Sequence, residues 1–402
     1  MSMIVCADCG SMQALPELPD HATAECHRCD RLIARRTAVS IEVSLVCAIA
    51  VMILIWPAVF LPLMQSTIRN LVFQQSRLVS SVAVIYGEVW FPFAFGFLFF
   101  ALLFPFLRAT LQTLVLGSLR FGTPIPHLGR LFRYSEELRI WSLTDVVVIA
   151  GLVAYYRAGI SAEVELGIGA WFYIAVACLV VLGDRALDRR TVWSEILPDR
   201  AVPPMQHFTS CDVCELVVTE RAAGDACPRC GGTLDRSIRK RWAPAMAAVA
   251  AAVPLCIPAY AAAIMVNENL AGVLEHTVLG TVQLLADRGY WQIGVIVLVA
   301  GVAIPLSVLT GMTWLLLRVR FPHREGLVRR TRTYRLLRRL VRWPMILPFV
   351  AAIAAPIINY RGIDDIVAGP GATPLFAVIA LMMLAVRLFE PKFMWRTAGE
   401  VR

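Results

Sequence analysis

Eight long apolar stretches constrain this chain more than any other feature of its sequence. They cover residues 41–64, 88–119, 141–158, 166–183, 243–266, 290–317, 343–358 and 374–389. A helix needs about 20 apolar residues to cross a bilayer, and several of these stretches reach or approach that length. Charged residues make up only 17% of the 402 residues, whereas soluble domains contain about a quarter. The sequence therefore predicts an all-α polytopic membrane protein with about eight transmembrane helices.

The second half of the chain repeats the pattern of the first. In both halves 28 residues separate the last cysteine of a paired set from a Pro-Ala step, and 61 separate it from a tryptophan. The markers are Cys29, Pro57 and Trp90 in the first half and Cys230, Pro258 and Trp291 in the second. Two later tryptophans in each half are also separated by the same number of residues, Trp141 and Trp193 in the first half and Trp343 and Trp395 in the second. These offsets predict two tandem units, which are parallel repeats because each has an even number of spans.

Eight of the eleven cysteines form four C-x-x-C pairs, two at the start of each half. They are Cys6, Cys9, Cys26 and Cys29, then Cys211, Cys214, Cys227 and Cys230. Four thiolates at this separation suit tetrahedral Zn²⁺ with every position filled, which is a structural site. A pair of redox dithiols is the alternative. The nearby His27 and His207 are surplus to a set of four thiolates. We predict two zinc ribbons and about two Zn²⁺ ions per chain.

Together these patterns divide the chain into four parts. The predicted domains are zinc ribbon 1 (1–36), transmembrane unit 1 with four helices (37–200), zinc ribbon 2 (201–240) and transmembrane unit 2 with four helices (241–402).

The net charge of +9 comes almost entirely from arginine, and its distribution predicts the orientation. With eight spans and both termini in the cytoplasm, the cytoplasmic segments hold 31 of the 38 Lys and Arg residues. An excess of this size is typical of cytoplasmic loops, so it predicts membrane orientation and contact with anionic headgroups rather than nucleic-acid binding. The polar first forty residues contain no signal peptide, which also favours a cytoplasmic N-terminus.

A few polar residues lie inside predicted spans, where they are costly unless paired, hydrated or used. Asp145 lies one turn into the third span and Arg108 lies deep in the second. These two residues have either a structural role, as an ion pair or as groups at the membrane interface, or a role in transport. Because both spans belong to one unit, an ion pair between Arg108 and Asp145 is possible. Ser307 and Thr310 lie on one stripe of the sixth span, for which helix packing is the favoured interpretation over a ligand site.

The chain has no catalytic motif of the common kinds. Neither lysine follows a glycine, so there is no Walker A loop, and neither H-E-x-x-H nor G-x-S-x-G occurs. The sequence predicts that the protein is not an enzyme.

The duplicated arrangement resembles the paraquat-inducible protein A family over nearly the whole chain. The matching motifs are the two ribbons, the Pro-Ala step in the first span, the tryptophan that opens the second, W-x-x-x-D in the third (Trp141 to Asp145) and a closing motif that ends in tryptophan. The resemblance implies that the eight ribbon cysteines are metal ligands and that Asp145 is the family's third-span aspartate. Where the family often has P-x-x-K, this chain has Arg108 in unit 1 and Val308 in unit 2.

The same resemblance implies a function. LetA-like members of the family are inner-membrane partners of MCE-domain proteins, which form periplasmic tunnels for lipids. The chain is thus expected to be an inner-membrane subunit that moves or loads phospholipid between the membrane and such a tunnel. The alternative is a zinc-dependent scaffold or stress sensor of an envelope complex without transport activity.

Overall fold

The computed structural model describes most of the chain. The described residues are 2–15, 19, 22–35, 41–68, 71–81, 91–123, 125–159, 163–198, 208–211, 213–219, 226–234, 239–269, 272–320, 326–358 and 364–399. The elements are numbered below in chain order.

Each ribbon is built from short antiparallel pairings, as zinc ribbons require. In ribbon 1, β1 (Ser2–Val5) pairs with β2 (Met12–Leu15), and β3 (Thr23–Glu25) pairs with β4 (Leu32–Arg35). In ribbon 2, β8 (Phe208–Ser210) pairs with β9 (Val217–Thr219), and a single bridge joins Ala226 to Thr233. Each pairing brings two cysteines of one C-x-x-C pair into a tight turn, which prepares the metal site described below.

The two membrane units contain helices in the same order. Unit 1 has α1 (Ile41–Phe60), α2 (Phe91–Phe97, Leu98–Leu103 and Phe104–Phe121), α3 (Leu128–Trp141), α4 (Thr144–Ala158), α5 (Ile168–Ala186) and α6 (Arg189–Ile196). Unit 2 has α7 (Arg239–Ala261), α8 (Val278–Asp287), α9 (Trp291–Leu298, Val299–Ala303 and Ile304–Arg320), α10 (Leu327–Leu340), α11 (Ile346–Ile358), α12 (Ala372–Leu388) and α13 (Lys392–Thr397). The predicted all-α polytopic architecture of two tandem units is confirmed.

All eight predicted spans coincide with helices, although their lengths differ. Six helical segments among the described residues are long and apolar enough to cross a membrane: Ile41–Phe60, Ala94–Phe121, Leu128–Tyr156, Ile168–Ala186, Trp242–Ala261 and Trp291–Val319. The remaining two spans correspond to the shorter α11 and α12. The first and fifth spans were predicted too long, because their helices end at Phe60 and Ala261 and strands follow. The amphipathic helices α3 and α10 occupy segments for which no helix was predicted.

A small sheet, which the sequence analysis missed, lies at the end of each unit away from the ribbons. In unit 1 the order is β6 (Leu71–Ser76), β5 (Met64–Ile68), β7 (Val164–Leu166); in unit 2 it is β11 (Gly272–His276), β10 (Met265–Asn269), β12 (Asp364–Ala368). Each sheet joins the loop after the first span to the loop after the third. These two loops must therefore lie on one side of the membrane, the sheet side, opposite the ribbon side.

The first and fourth spans of each unit pack along each other, and the third spans join the two units. Helix α1 packs on α5, and its counterpart α7 packs on α12. Helices α4 and α11 pack across the junction between the units, where Phe97 and Phe349 also meet with ring centroids 5.5 Å apart. The buried core runs through both units, so they share one interior rather than two.

The second span of each unit contains a short π-helical segment just before a proline. These segments are Leu98–Leu103 before Pro105 and Val299–Ala303 before Pro305. A proline has no N–H for the carbonyl one turn earlier, so that carbonyl needs another donor in a bilayer. The Tyr173 hydroxyl donates to the Ala101 carbonyl at 2.8 Å, and the Tyr260 hydroxyl donates to the Gly301 carbonyl at 2.7 Å. In both units a tyrosine hydroxyl thus satisfies the carbonyl that the proline leaves free, although the two tyrosines belong to different helices.

Glycines at the sheet end permit the close contact between the first and fourth spans, and Gly167→Ala is expected to destabilise the protein. A Cβ at Gly167 would lie 2.1 Å from the Pro62 carbonyl oxygen, and one at the matching Gly369 would lie 2.2 Å from that of Ala263. Overpacking of this kind costs about 1–3 kcal/mol. Thermal unfolding in detergent measures the loss. The matched control is Gly117→Ala, where nothing lies within 4 Å of the added atom. Equal stability of Gly167→Ala and the wild type would contradict the packing argument.

Candidate metal centres and intramembrane polar sites

Each of the four C-x-x-C pairs closes into the same tight turn. The residue after each second cysteine has a positive φ: Gly10, Asp30, Glu215 and Gly231, at 73°, 54°, 59° and 64°. Its N–H donates to the carbonyl of the first cysteine at 2.8 to 3.0 Å. This left-handed turn favours Gly, Asn or Asp, which explains three of the four residues found there. The turn points both thiols of a pair in one direction.

The four thiols of each ribbon form a buried cluster. Cys6 Sγ lies 3.6 Å from Cys29 Sγ and Cys9 Sγ lies 3.6 Å from Cys26 Sγ; in ribbon 2 the pairs are Cys211–Cys230 at 3.5 Å and Cys214–Cys227 at 3.6 Å. All four sulfurs of each cluster lie within 4.8 Å of one another. A tetrahedral ion with Zn–S bonds of about 2.3 Å needs sulfurs about 3.8 Å apart. The two clusters have the donors and the size for a metal ion.

Ribbon 1 docks on the membrane unit that follows the other ribbon. Arg335 of α10 donates to the Cys29 carbonyl and, at 3.0 Å, to the Asp30 carbonyl. Arg332 of the same helix pairs with the Asp30 carboxylate at 2.6 Å. The Arg28 guanidinium lies 4.7 Å from the ring centre of Trp395. The cysteines of ribbon 1 therefore adjoin the core of unit 2, although the ribbon precedes unit 1 in the sequence.

Ribbon 2 makes the reciprocal contact with unit 1. Its four cysteines share a buried cluster with Leu116, Phe132 and Trp193 of unit 1. Arg229 donates to the Leu197 carbonyl, just after α6. A Cβ at Gly129 of α3 would lie 1.8 Å from the Arg229 carbonyl oxygen, so the two backbones are in direct contact. Each ribbon is thus held by the opposite unit, an arrangement we term crossed docking.

A half-buried arginine links the ribbons to each other. Arg31 of ribbon 1 contacts the Asp8 carboxylate at 2.8 Å and the Glu215 carboxylate of ribbon 2 at 3.1 Å. Burial lowers the pKa of Arg31, but the charges of Glu215 and Asp8 outweigh that effect and leave the pKa raised. Burial raises the pKa of Glu215, against the opposing charge of Arg31.

The two histidines that the sequence analysis judged surplus to the thiolate sets are not found among the metal-site residues. His27 contacts Gln13 at 2.8 Å and lies outside the thiol cluster, and His207 lies outside the described residues.

Arg108 and Asp145, whose pairing the sequence left open, do not pair with each other. The buried Arg108 pairs with Asp184, near the ribbon end of α5. The Arg139 guanidinium also lies 3.3 Å from the Asp184 carboxylate. In the same cluster, the Arg189 guanidinium lies 2.7 Å from the Glu136 carboxylate. Sequence analysis missed Asp184 because the residue lies just beyond the predicted end of the fourth span.

Unit 2 replaces the Arg108–Asp184 pair with two valines. Val308 stands three residues after Pro305, as Arg108 stands after Pro105, and Val386 stands nine residues before Trp395, as Asp184 stands before Trp193. Both valines are buried. The charged pair therefore belongs to unit 1 alone, and its two members are absent together from unit 2.

Asp145 forms an ion pair across the junction between the units. Its carboxylate lies 2.8 Å from the guanidinium of Arg342, which directly precedes Trp343 at the start of the third span of unit 2. The side chains remain 30% and 41% exposed. This pair joins the ribbon ends of α4 and α11, the two helices that pack the units together.

Ser307 and Thr310 lie on the exposed face of α9. The Ser307 hydroxyl donates to the Ala303 carbonyl at 2.6 Å, and the Thr310 hydroxyl donates to the Leu306 carbonyl at 2.7 Å. Each hydroxyl is thus satisfied by its own helix. Gly311 of the same stripe is packed by Leu337 of α10, since an added Cβ would lie 2.7 Å from that side chain.

An apolar cavity opens at the sheet side of unit 2. Its walls come from β10, α8, α9, α11 and α12, with Val153 of unit 1 completing the lining. Leu285, Val297 and Leu347 are among the lining residues. The lining is almost entirely aliphatic, so the cavity suits hydrocarbon.

Comparison with known proteins places the chain in a family. The model of the family described as Paraquat-inducible protein A matches residues 41–196 and 243–399, one match for each membrane unit. The chain belongs to the paraquat-inducible protein A family. Because the family model matches this chain twice, it confirms the tandem repeat and describes the membrane units rather than the ribbons.

Relatives within or near this family carry transport names. The Intermembrane transport protein PqiA of Escherichia coli strain K12 is 23% identical over 98% of this chain and 95% of its own length. The Lipophilic envelope-spanning tunnel protein A of the same strain is 25% identical over 97% and 90%. A Probable intermembrane transport protein of Haemophilus influenzae is 22% identical over 98% and 96%. No solved structure matches the chain significantly. The relatives are named as transport proteins rather than enzymes, which is consistent with the prediction from the sequence.

Proposed function

We propose that this protein is an inner-membrane subunit of a lipid transport system that moves or loads phospholipid between the membrane and a periplasmic tunnel of an MCE-domain partner. The observation that carries the proposal is the aliphatic cavity on the sheet side of unit 2, which can hold acyl chains. The transport names of the relatives support it. The arginine excess supports an orientation with the ribbons and both termini in the cytoplasm, so the sheets face the periplasm, where a tunnel would dock.

A bulky residue in the cavity is the direct test. Val297 is buried and lines the cavity, whereas Val295 on the same helix is 48% exposed. We expect Val297→Trp to abolish complementation of an envelope-permeability defect at normal membrane abundance, because it fills the space for an acyl chain. Val295→Trp is the matched control and should complement. Full complementation by Val297→Trp would favour the alternative, a scaffold or stress sensor without transport activity.

We further propose that the thiol clusters bind zinc. The purified chain should contain about two zinc ions, one for each set of four thiolates. Elemental analysis of the protein in detergent measures the content, and absorption spectra exclude iron–sulfur clusters. A preparation with no zinc, or with iron in its place, would contradict the assignment. Because every donor position is filled by cysteine, the ions would hold the ribbons together and not take part in a reaction.

A further inference from the structure

A second, smaller cavity lies in unit 1, at the opposite side of the membrane from the aliphatic one. Its lining includes Ser44, Arg108, Gln112, Ser142 and Gly183. Ser44 is three residues from the start of α1, and Gly183 is three residues from the end of α5. Three residues of helix span about 4.5 Å, so the cavity lies near the ribbon-side helix ends, at the depth of lipid headgroups.

Two buried donors line this cavity without a partner among the described residues. Arg108 is 4% exposed and Ser142 is 6% exposed, yet the Nε of Arg108 and the Oγ of Ser142 make no hydrogen bond. A buried polar atom left unpaired is costly. The Arg108 Nε can only donate and the Ser142 hydroxyl can donate, so one acceptor group can serve both. Ser44 differs, because its hydroxyl already donates to the Gly183 carbonyl at 3.0 Å.

The charge around the cavity fits an anion. Arg108, Arg139 and Arg189 face only two carboxylates in their cluster, those of Asp184 and Glu136. One positive charge is therefore left uncompensated among these five groups. A phosphodiester has a single negative charge and several acceptor oxygens, which suit a guanidinium and a hydroxyl together.

Unit 2 has apolar residues in place of Arg108, Asp184 and Ser142. Val308 and Val386 replace Arg108 and Asp184, and Pro344 replaces Ser142, since it follows Trp343 as Ser142 follows Trp141. All three replacements are buried. The fold therefore does not need these polar groups for packing, and their presence in unit 1 calls for a ligand.

We propose that the unit 1 cavity binds a phosphate group through Arg108 and Ser142, as a headgroup site on the ribbon side that is separate from the aliphatic cavity of unit 2. This inference rests on the proposed lipid transport for its biological role. The phosphate could belong to a phospholipid or be free in the cytoplasm. The two sources share the chemistry and are separated by the probes below.

Native mass spectrometry of the full chain in detergent tests the proposal with three probes: dioleoyl phosphatidylglycerol, dioleoylglycerol and inorganic phosphate. We expect phosphatidylglycerol to bind and dioleoylglycerol, which lacks the phosphate, to bind at least tenfold more weakly. Ser142→Ala should weaken phosphatidylglycerol binding about tenfold, as the loss of a hydrogen bond to a charged group does. Ser44→Ala is the matched control and should bind as the wild type does. Binding of inorganic phosphate, sensitive to Ser142→Ala, would identify the free anion as the source.

A second variant removes the charged pair without leaving a buried charge alone. Arg108→Val with Asp184→Val copies unit 2, so the chain should fold, and we expect it to lose phosphate-dependent binding. The proposal is overturned if Ser142→Ala and the double variant both bind phosphatidylglycerol as tightly as the wild type. That result would leave the proposed function intact, because Val297→Trp tests the other cavity by complementation.

Discussion

Replacing Cys29 with serine is expected to loosen α10 of unit 2, although 306 residues separate Cys29 from Arg335. A four-cysteine site supplies on the order of 10 kcal/mol of folding free energy when it binds zinc. If ribbon 1 binds zinc as proposed, the turn at Cys29 and Asp30 no longer holds its shape once the metal is lost, and Arg332 and Arg335 lose their partners there. Hydrogen–deuterium exchange in lipid nanodiscs should show faster exchange in α10 and in ribbon 1.

The reciprocal substitution supplies the matching arm of that experiment. Cys230→Ser should speed exchange in α3 and α6 of unit 1, because ribbon 2 packs against Phe132 and Trp193 there. Cys178→Ser is the control, since Cys178 is exposed and lies outside both thiol clusters. Crossed docking would be refuted if each cysteine substitution affected only the unit that follows its own ribbon in the sequence.

The second large effect concerns Asp145. We expect Asp145→Asn to leave membrane abundance normal and to abolish complementation of an envelope-permeability defect. An ion pair as exposed as Asp145–Arg342 contributes at most about 1 kcal/mol to stability, so folding should tolerate its loss. The functional effect is large on our hypothesis that the pair couples the third spans of the two units. Immunoblots of membranes measure abundance, and sensitivity to detergent or antibiotics measures function.

An exchange of charges separates the pair from the carboxylate itself. The double variant Asp145→Arg with Arg342→Asp keeps an ion pair between α4 and α11, and we expect it to restore part of the function. Full complementation by the single Asp145→Asn variant would show that the carboxylate plays no part in the mechanism. Disappearance of that variant from the membrane would show instead that the pair is structural.

The sequence predicted the repeated architecture and the two clusters of four thiols because both depend on spacing along the chain. The offsets between Cys29, Pro57 and Trp90 recur in the second half, and four thiols at C-x-x-C spacing cluster whatever surrounds them. The small sheets at the sheet side were missed because their first strands, which begin at Met64 and Met265, lie at the ends of apolar stretches that are otherwise helical. Hydropathy alone does not separate the last turn of a span from a short strand.

The sequence analysis could not identify the ion-pair partners of the charges within the spans. These partners depend on how helices distant in sequence pack, and hydropathy carries no information about that packing. Asp145 lies closer along the chain to Arg108 than to Arg342, yet it pairs with Arg342 because the third spans meet at the junction of the units. One signal for Asp184 was present. When each position is counted from the nearest marker shared by the two halves, the proline for Arg108 and the closing tryptophan for Asp184, both residues are valine in unit 2. A paired change of this kind between repeats indicates contact.

Crossed docking also sets an order of events during synthesis. The surface that receives ribbon 2, on α3 and α6, precedes that ribbon in the chain and is complete when its cysteines are made. The surface that receives ribbon 1 includes Arg335 and Trp395, so it is incomplete until Trp395 has been added, 366 residues after Cys29. At about 5–20 residues per second, that delay is roughly 20–80 seconds. Throughout this time the four thiols of ribbon 1 must be kept reduced or metal-bound by their own ribbon, because the surface on which the ribbon docks does not yet exist.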